Sequence, residues 1–98
     1  LERGRGSVVF ITSMAAVFGL PRVAAYAAAK SAMLGVVRTL AVEWSARGVR
    51  VNAIAPGWIE TDLMRRSVFT DPERKRRVLE RTPMGRFGTV EDVGRAAV

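Results

Sequence analysis

Tyr26 and Lys30 are the two residues of this sequence whose types and spacing most directly predict chemistry. They stand four positions apart in the alanine-rich stretch AAYAAAKSAM. Side chains at positions i and i+4 share one face of a helix, so the phenol and the ammonium can act on the same small volume. A tyrosine hydroxyl can donate or accept a proton, and a nearby cation favours its charged form. The alternative is a core tyrosine beside a lysine whose ammonium reaches solvent.

The surroundings of the pair decide whether it can transfer protons near neutral pH. A free tyrosine has a pKa of about 10, so work at a pH of about 7 requires the phenolate to be stabilised by about 4 kcal/mol. A cation at about 4 Å supplies about 1 kcal/mol in bulk water and about 4 kcal/mol at an effective dielectric constant of about 20. Lys30 is the only charged residue between positions 23 and 37. These apolar surroundings favour a cleft screened from water, in which the pair is chemically sufficient.

The elements around the pair form a strand–helix–strand pattern. The run VVFIT, residues 8–12, is β-branched and aromatic and predicts a buried strand. Residues 23–47 have helical composition, and Gly48 follows in the C-cap place. A second strand is predicted over VRVNAIA, residues 49–55. This order is typical of a βαβ unit with parallel strands and a right-handed crossover.

Ser13 and the Pro56-Gly57 pair come directly after the two predicted strands. The carboxyl ends of parallel strands meet at one edge of a sheet, where α/β proteins gather ligands. We therefore expect Ser13, Tyr26, Lys30 and Pro56-Gly57 to converge on one rim. A serine hydroxyl there can donate a hydrogen bond to a substrate carbonyl oxygen while the tyrosine supplies or removes the proton.

Three further helices are predicted after the second strand. The stretch TDLMRR predicts a short helix that begins at Thr61 or Asp62. The stretch DPERKRRVLER predicts a helix with Asp71 as its N-cap and a proline in the first turn. After the predicted loop TPMGRFG, the spacing of Thr89 and Asp92 is that of a capping box at the start of the last helix.

Composition excludes several kinds of site and sets the scale of the fold. The 98 residues contain no cysteine and no histidine, which excludes disulfides, thiolate metal sites, serine–histidine triads and the usual zinc ligand sets. A chain of this length allows one small domain. Because parallel sheets need both faces covered, we expect a piece of a larger α/β protein. No secretory signal or apolar span of about 20 residues is visible, which predicts a cytoplasmic protein without a membrane segment.

The net charge of +7 raises the question of a nucleic-acid partner. Much of the excess lies in RRSVFTDPERKRRVLER, residues 65–81. Its ERKRR run has no interleaved aromatic residue, and no nucleic-acid-binding motif is present. A solvated helix face is therefore favoured over a nucleic-acid interface. A third interpretation is an electrostatic landing site for an acidic partner or an anionic substrate.

Three linked motifs, in this order, resemble those of the short-chain dehydrogenase/reductase family. Ser13, Tyr26 thirteen residues later, and Lys30 match the family's serine, tyrosine and lysine arrangement. VRVNAIAPGWIETDL is similar to its strand–Asn–Pro–Gly segment followed by Thr, and PMGRFGTVEDVGRAAV to its Gly-Arg and Glu-Asp ending. The resemblance covers nearly the whole chain. It implies an α/β fold, a partial Rossmann-like doubly wound parallel sheet, with residues 1–98 forming the carboxyl-side part of one domain.

The resemblance implies an oxidoreductase that transfers a hydride between NAD or NADP and a small-molecule secondary alcohol or ketone. Tyr26 would exchange a proton with the alcohol or carbonyl oxygen. Lys30 would favour the phenolate of that tyrosine and hydrogen-bond the nicotinamide ribose, and Ser13 would hold and polarise the substrate oxygen.

The resemblance also places residues beyond these three. The nicotinamide end of the cofactor would be bordered by Pro56, Gly57, Ile59 and Thr61. A mobile substrate lid would extend over about residues 58–81. The side chains expected to shape the substrate site within it are Trp58, Met64 and Phe69.

The sequence departs from the family pattern on its cofactor side. The glycine-rich turn that receives the pyrophosphate is absent, because Gly4-Arg5-Gly6 is followed by Val9 where the pattern needs glycine. The residue that selects NAD or NADP and the usual catalytic asparagine are absent too, and Asn52 is interpreted as structural. Thr12 stands where many members have a second serine. The isolated chain is therefore expected to have little or no activity.

The predicted helix over residues 23–47 is apolar nearly all round, which indicates burial on two sides. In the family the equivalent helix commonly contributes to a subunit interface, so the resemblance implies a homo-oligomer, a dimer or a tetramer. A part of the same chain outside these residues is an equally good cover. The alternative function is a non-catalytic Rossmann-like module for binding or oligomerisation, and the sequence leaves the substrate open.

Overall fold

The computed structural model describes residues 5–98, so Gly4 of the Gly4-Arg5-Gly6 run lies outside the described residues. The elements follow in the order β1 (Gly6–Ile11), a 3₁₀ turn (Met14–Ala16), α1 (Ala24–Ser45), β2 (Val49–Ile54), α2 (Asp62–Ser67), α3 (Pro72–Glu80) and α4 (Val90–Ala96). The chain divides into two compact units, the first ending at Pro56 and the second beginning at Gly57.

The first unit is built on a parallel pair of strands, as the strand–helix–strand pattern predicts. β1 pairs with β2 in a register that runs from Gly6 opposite Val49 to Ile11 opposite Ile54. Each strand ends one residue earlier than predicted, and β1 also begins earlier, at Gly6. Thr12 lies just after the end of β1, but its main-chain N–H still donates to the carbonyl of Ile54 at 2.8 Å. The parallel βαβ core of a Rossmann-like fold is thus present.

Helix α1 is slightly shorter than the predicted range of 23–47. Val23 is its N-cap, with φ −131° and no side-chain cap. At the other end the N–H of Gly48 donates to the carbonyl of Ser45 at 2.9 Å. Gly48 has a φ of 73°, a backbone conformation that favours glycine and ends the helix.

One side of α1 packs on β2 and on the 3₁₀ turn. Among residues 5–56, the buried apolar residues are Ala15, Val49 and Val51. No residue of α1 itself is buried among the described residues. The predicted burial of this helix on two sides is therefore not supplied by the described part of the chain.

The second unit contains the three short helices, and each begins where its capping residues predict. The Thr61 hydroxyl accepts from the N–H of Met64, and the Asp71 carboxylate accepts from the first turn of α3. Thr89 and Asp92 form a complete capping box at α4. Val68 and Val78 are the buried apolar residues of this unit.

The charges of α3 pair along the surface of the helix. Arg76 forms ion pairs with Glu73 at 2.8 Å and with Glu80, and Arg77 pairs with Glu73 at 3.1 Å. Hydrogen bonds from Arg76 and then from Arg77 lower the pKa of Glu73. Such i,i+3 and i,i+4 pairs are typical of a solvated helix face. Among residues 5–98, no helix combines the length and apolar character required to cross a membrane.

Candidate active site

The first two turns of α1 carry Tyr26 and Lys30. The Nζ atom of Lys30 lies 5.8 Å from the centroid of the Tyr26 ring, as expected for side chains at i and i+4. The same Nζ donates a hydrogen bond to the main-chain carbonyl of Ile11 at 2.9 Å. Because Ile11 is the last residue of β1, this bond ties the start of α1 to the carboxyl end of the strand. Tyr26 is 49% exposed, so its phenol is accessible to a ligand, and the described residues do not supply the cleft screened from water that the sequence predicts.

Ser13 begins the 3₁₀ turn that follows β1. Its Oγ accepts a hydrogen bond from the main-chain N–H of Ala15 at 3.1 Å. A serine hydroxyl has one proton of its own to donate as well, so Ser13 can still donate to a substrate oxygen. Ser31, one residue after Lys30, donates to the carbonyl of Ala16 at 3.4 Å. The turn that begins at Ser13 and the helix that carries Tyr26 are therefore fastened to each other.

Thr12 and Pro56 fix the ends of the two strands relative to each other. The Thr12 side chain is buried, and its Oγ1 donates to the carbonyl of Ile54 at 3.1 Å. The N–H of Met14 donates to the carbonyl of Pro56 at 3.2 Å. The predicted Pro56 thus lies at the same edge of the sheet as the residues after β1. The sequence did not predict the hydrogen bonds of Thr12 and Ser31. Their only signal in the sequence is that each carries a hydroxyl next to a candidate catalytic residue, Thr12 before Ser13 and Ser31 after Lys30.

The other predicted site residues, from Gly57 onwards, belong to the second unit. Its first segment is held by the loop before α4, through an isolated parallel bridge between Ile59 and Gly88. The N–H of Gly88 donates to the carbonyl of Trp58 at 2.9 Å, and the N–H of Glu60 donates to the carbonyl of Gly88 at 2.7 Å. Within residues 5–98, the N–H and the carbonyl of Ile59 have no hydrogen-bond partner of their own.

The predicted substrate-shaping side chains contact different neighbours within the second unit. The Phe69 ring packs on Phe87 with their centroids 4.5 Å apart. The Nζ of Lys75 lies 4.8 Å from the Phe69 ring centroid. Trp58 lines a groove of about 380 Å³ together with Ile59, Met84, Arg86 and others. The Thr61 hydroxyl accepts from the N–H of Met64 at 3.3 Å, which starts α2.

An ion pair stabilises the loop that contains Gly88. Arg86 donates to Oδ2 of Asp92 at 2.8 Å, and the main-chain N–H of Thr89 donates to the same oxygen at 2.9 Å. The bond from Arg86 and then that from the Thr89 main chain hold the pKa of Asp92 at about 2, below its ordinary 3.8. Near neutral pH the Asp92 carboxylate is therefore charged, and it accepts both of the hydrogen bonds that close the loop.

Comparison with known proteins gives matches over the whole chain. A protein-family model described as enoyl-(acyl carrier protein) reductase matches residues 1–98. An inactive 2-(S)-hydroxypropyl-CoM dehydrogenase 2 from Xanthobacter autotrophicus is 44% identical, over 100% of this chain and 44% of its own length. A 2-dehydro-3-deoxy-D-gluconate 5-dehydrogenase from Bacillus subtilis is 41% identical, over 100% of this chain and 38% of its own length.

Solved structures share the fold of the chain. The crystal structure of a protein from Agrobacterium tumefaciens with bound NADP superposes on this chain with a TM-score of 0.92 and 44% sequence identity. The match covers 98% of this chain and 39% of that protein's chain. The chain thus spans about two fifths of the length of the relatives that it matches.

Proposed function

Because this chain belongs to the short-chain dehydrogenase/reductase family, we propose that it is the carboxyl-side catalytic half of an oxidoreductase. The reaction is hydride transfer between NAD or NADP and a secondary alcohol or ketone. The observation that carries the proposal is the hydrogen bond from Lys30 to Ile11, because it holds the Tyr26 face of α1 beside the end of β1. Ser13 follows that end by two residues.

The three catalytic roles follow from the donors and acceptors at this place. In the oxidation direction Tyr26 accepts the hydroxyl proton of the alcohol, and in the reduction direction it returns that proton to the carbonyl oxygen. The Lys30 ammonium favours the phenolate electrostatically. The Ser13 hydroxyl donates to the reacting oxygen and holds it beside the phenol, while its other contact, from the N–H of Ala15, keeps the side chain in place.

The residues present fit a nicotinamide cofactor. The N–H and the carbonyl of Ile59, which have no partner within residues 5–98, match the acceptor and the donors of a primary carboxamide. The Lys30 ammonium has three N–H donors, one of which Ile11 uses, and the others suit ribose hydroxyls. Pro56, Gly57 and Thr61 would complete the contacts. When bound, the cofactor supplies or accepts the hydride.

The proposed substrate lid extends over about residues 58–81. It contains α2 and α3, and its Trp58, Met64 and Phe69 are the side chains that we propose to shape the substrate site. Two relatives are named as dehydrogenases of 2-(S)-hydroxypropyl-CoM and of 2-dehydro-3-deoxy-D-gluconate. These names support a small alcohol or ketone and leave the individual substrate open.

A second copy of the protein is the proposed cover for the outer side of α1. Val36 and Val42 are 46% and 79% exposed on this helix. Helices with an apolar surface on both sides are usually buried on both. We therefore propose a homo-oligomer, a dimer or tetramer, formed through the helix of residues 23–47.

The test uses the full-length protein and follows the absorbance of the reduced cofactor. NAD(H) and NADP(H) are each offered with a panel of ketones and secondary alcohols. Tyr26→Phe and Ser13→Ala are expected to lower kcat/KM by about 100-fold or more, the size of a lost acid–base or oxyanion contribution. Ser7→Ala, an exposed serine in β1, is the matched control and should keep the wild-type rate.

The second candidate is a non-catalytic binding or oligomerisation module that retains these residues. It is favoured by one observation, that a relative with 44% identity is named as inactive. Equal turnover by the wild type and Tyr26→Phe would reject the catalytic role of the phenol. A wild-type protein that assembles but oxidises no alcohol and reduces no ketone would support the module.

We also propose that residues 1–98 in isolation have little or no activity. They lack the glycine-rich turn expected to bind the pyrophosphate, and they leave large apolar side chains such as Phe18 and Leu63 exposed. Exposed apolar surface of this kind favours association and poor solubility. Turnover by the purified 98-residue chain at the rate of the full-length protein would contradict this proposal.

A further inference from the structure

Gly88 lies against the segment that carries Ile59. The isolated bridge gives two main-chain hydrogen bonds, Gly88 to Trp58 at 2.9 Å and Glu60 to Gly88 at 2.7 Å. Bonds in a parallel bridge run to the residues that flank the bridged one, so the N–H and carbonyl of Ile59 face away from Gly88. The position of Gly88 therefore sets where these two groups of Ile59 are presented.

The space next to Gly88 is filled by the side chain of Ile59. A Cβ atom added at position 88 would lie 2.5 Å from Ile59 Cδ1, whereas an ordinary contact is 3.4–4 Å. Its next neighbours, the Trp58 carbonyl oxygen at 3.6 Å and Asp92 Oδ2 at 3.9 Å, are at ordinary distances. Within the described part of the chain, the Ile59 methyl group is thus the one close obstacle to a side chain here. Cδ1 is the tip of the Ile59 side chain and turns about χ2, so an added Cβ atom at position 88 would require this tip to move from its place against the loop.

We infer that Gly88 is a positioning residue for cofactor binding: its lack of a side chain lets Ile59 seat against the loop before α4, so that the Ile59 main chain is held for the nicotinamide carboxamide. This inference rests on the proposed function, which assigns the Ile59 main chain to that group. The Arg86–Asp92 ion pair closes the same loop, and Asp92 also accepts from the main-chain N–H of Thr89, the residue after Gly88. A displacement of about 1 Å in a positioned group can lower kcat/KM by about 100-fold.

The experiment measures binding and turnover separately in the full-length protein. Isothermal titration with NADH and with NADPH gives the Kd of each variant, and steady-state kinetics gives kcat and the KM for the cofactor. For Gly88→Ala we expect a Kd and a cofactor KM raised about tenfold, a change of about 1.4 kcal/mol, with a smaller change in kcat. Gly94→Ala, a glycine in α4 with nothing within 4 Å of an added Cβ, is the matched control.

A second substitution tests the stated cause. Ile59→Val removes Cδ1, so the double variant Gly88→Ala/Ile59→Val should bind the cofactor as Ile59→Val alone does. This comparison decides the matter even where Gly88→Ala fails to fold, because removal of Cδ1 should then restore folding and binding together. A wild-type Kd for Gly88→Ala, or a double variant no better than Gly88→Ala, would overturn the inference.

The proposed function and this inference fail in different ways. A wild-type protein that binds NADH or NADPH but turns over no alcohol or ketone would reject the catalytic proposal and leave the binding series to decide on Gly88. A lower melting temperature for Gly88→Ala with an unchanged Kd would make the glycine merely structural. A wild-type protein that binds neither cofactor would reject both.

Discussion

Lys30 donates a hydrogen bond across 2.9 Å to the main-chain carbonyl of Ile11, the last residue of β1. This contact fixes the long side chain of the lysine at its tip and leaves its charge 5.8 Å from the centre of the Tyr26 ring. The lysine side chain is therefore already ordered before a ligand binds, and its charge is preorganised near the phenol. The strand end is therefore part of the candidate site through its backbone.

Lys30→Met should lower activity without a comparable loss of stability. The substitution keeps an unbranched side chain of similar length but removes the ammonium, and with it both the field at Tyr26 and the bond to Ile11. We expect kcat/KM to fall by about 100-fold or more, with a higher KM for the cofactor. Steady-state kinetics on the full-length protein measures both parameters.

The matched control for this charge removal is Arg95→Met. Arg95 is an exposed residue in the last turn of α4, so its loss changes the net charge equally and should keep the wild-type kcat. If Lys30→Met retained the wild-type kcat, the lysine would have only a structural part, as a snorkelling side chain beside Tyr26.

Thr12 should matter for stability and hardly for catalysis, in contrast with its neighbour Ser13. The Oγ1 of Thr12 is committed to the carbonyl of Ile54 at 3.1 Å in a buried position. Thr12→Val preserves the shape, and Ile54 keeps the bond from the Thr12 main chain. We therefore expect a modest cost of about 1 kcal/mol and a kcat near that of the wild type.

Thermal unfolding and kinetics on the same preparations separate these two hydroxyls. For a protein the size of the relatives, the melting temperature of Thr12→Val should drop by about 2–4 °C, whereas Ser13→Ala should lose most of its kcat. A Thr12→Val protein with a normal melting temperature and low kcat would place the Thr12 hydroxyl in the catalytic site.

Local chemistry made the helix starts predictable. Asp71 accepts hydrogen bonds from the first turn of α3, and Thr89 with Asp92 forms the capping box of α4. Such caps depend on residues within about one turn of each other, so the sequence alone contains the information. The Tyr26–Lys30 pair is of the same kind, because a four-residue spacing on a helix determines the shared face.

Contacts between distant segments were not predictable in this way. The bridge between Ile59 and Gly88 joins residues far apart in the sequence, and no residue type announces it. Arg22 adopts a φ of 67° between the 3₁₀ turn and α1, a conformation that arginine seldom takes. The bridge depends on which distant segments the fold brings together, and the residue type at position 22 does not favour the φ that it adopts.

The exposed side of α1 offers a direct test of the proposed oligomer. Val42 is 79% exposed, and burial of its side chain against a second copy would make a charge there costly. Val42→Lys should shift the full-length protein from a dimer or tetramer toward the monomer in sedimentation velocity. The matched control is Val17→Lys, the same substitution at a valine that is 64% exposed and outside this helix.

Two results would separate the possible covers of α1. Dissociation of Val42→Lys into folded monomers identifies a second copy as the cover. A lower melting temperature with an unchanged molecular mass would instead show that another part of the same chain packs on Val42, and the subunit interface would have to lie elsewhere.

Asp92 should make the folded protein sensitive to acid in a defined interval of pH. The hydrogen bond from Arg86, and then that from the Thr89 main chain, lower the pKa of its carboxyl to about 2 from an ordinary 3.8. A group with a lowered pKa in the folded state contributes stability that is complete above its ordinary pKa. That contribution is lost as the pH falls through the pKa of the folded protein, here between pH 3.8 and about pH 2.

Urea unfolding of the wild type and Asp92→Asn at a series of pH values isolates this contribution. The amide of the variant is neutral throughout, so the wild type should be the more stable protein near neutral pH, and its advantage should shrink over the stated interval. Glu91→Gln, which removes an exposed carboxylate from the same first turn of α4, controls for the general effect of a negative charge near the helix N-terminus. The contrary outcome is a stability advantage of the wild type over Asp92→Asn that stays constant down to pH 2. The ion pair with Arg86 would then contribute nothing to the stability of the fold. The amide of asparagine would differ from the carboxylate only in how it caps α4.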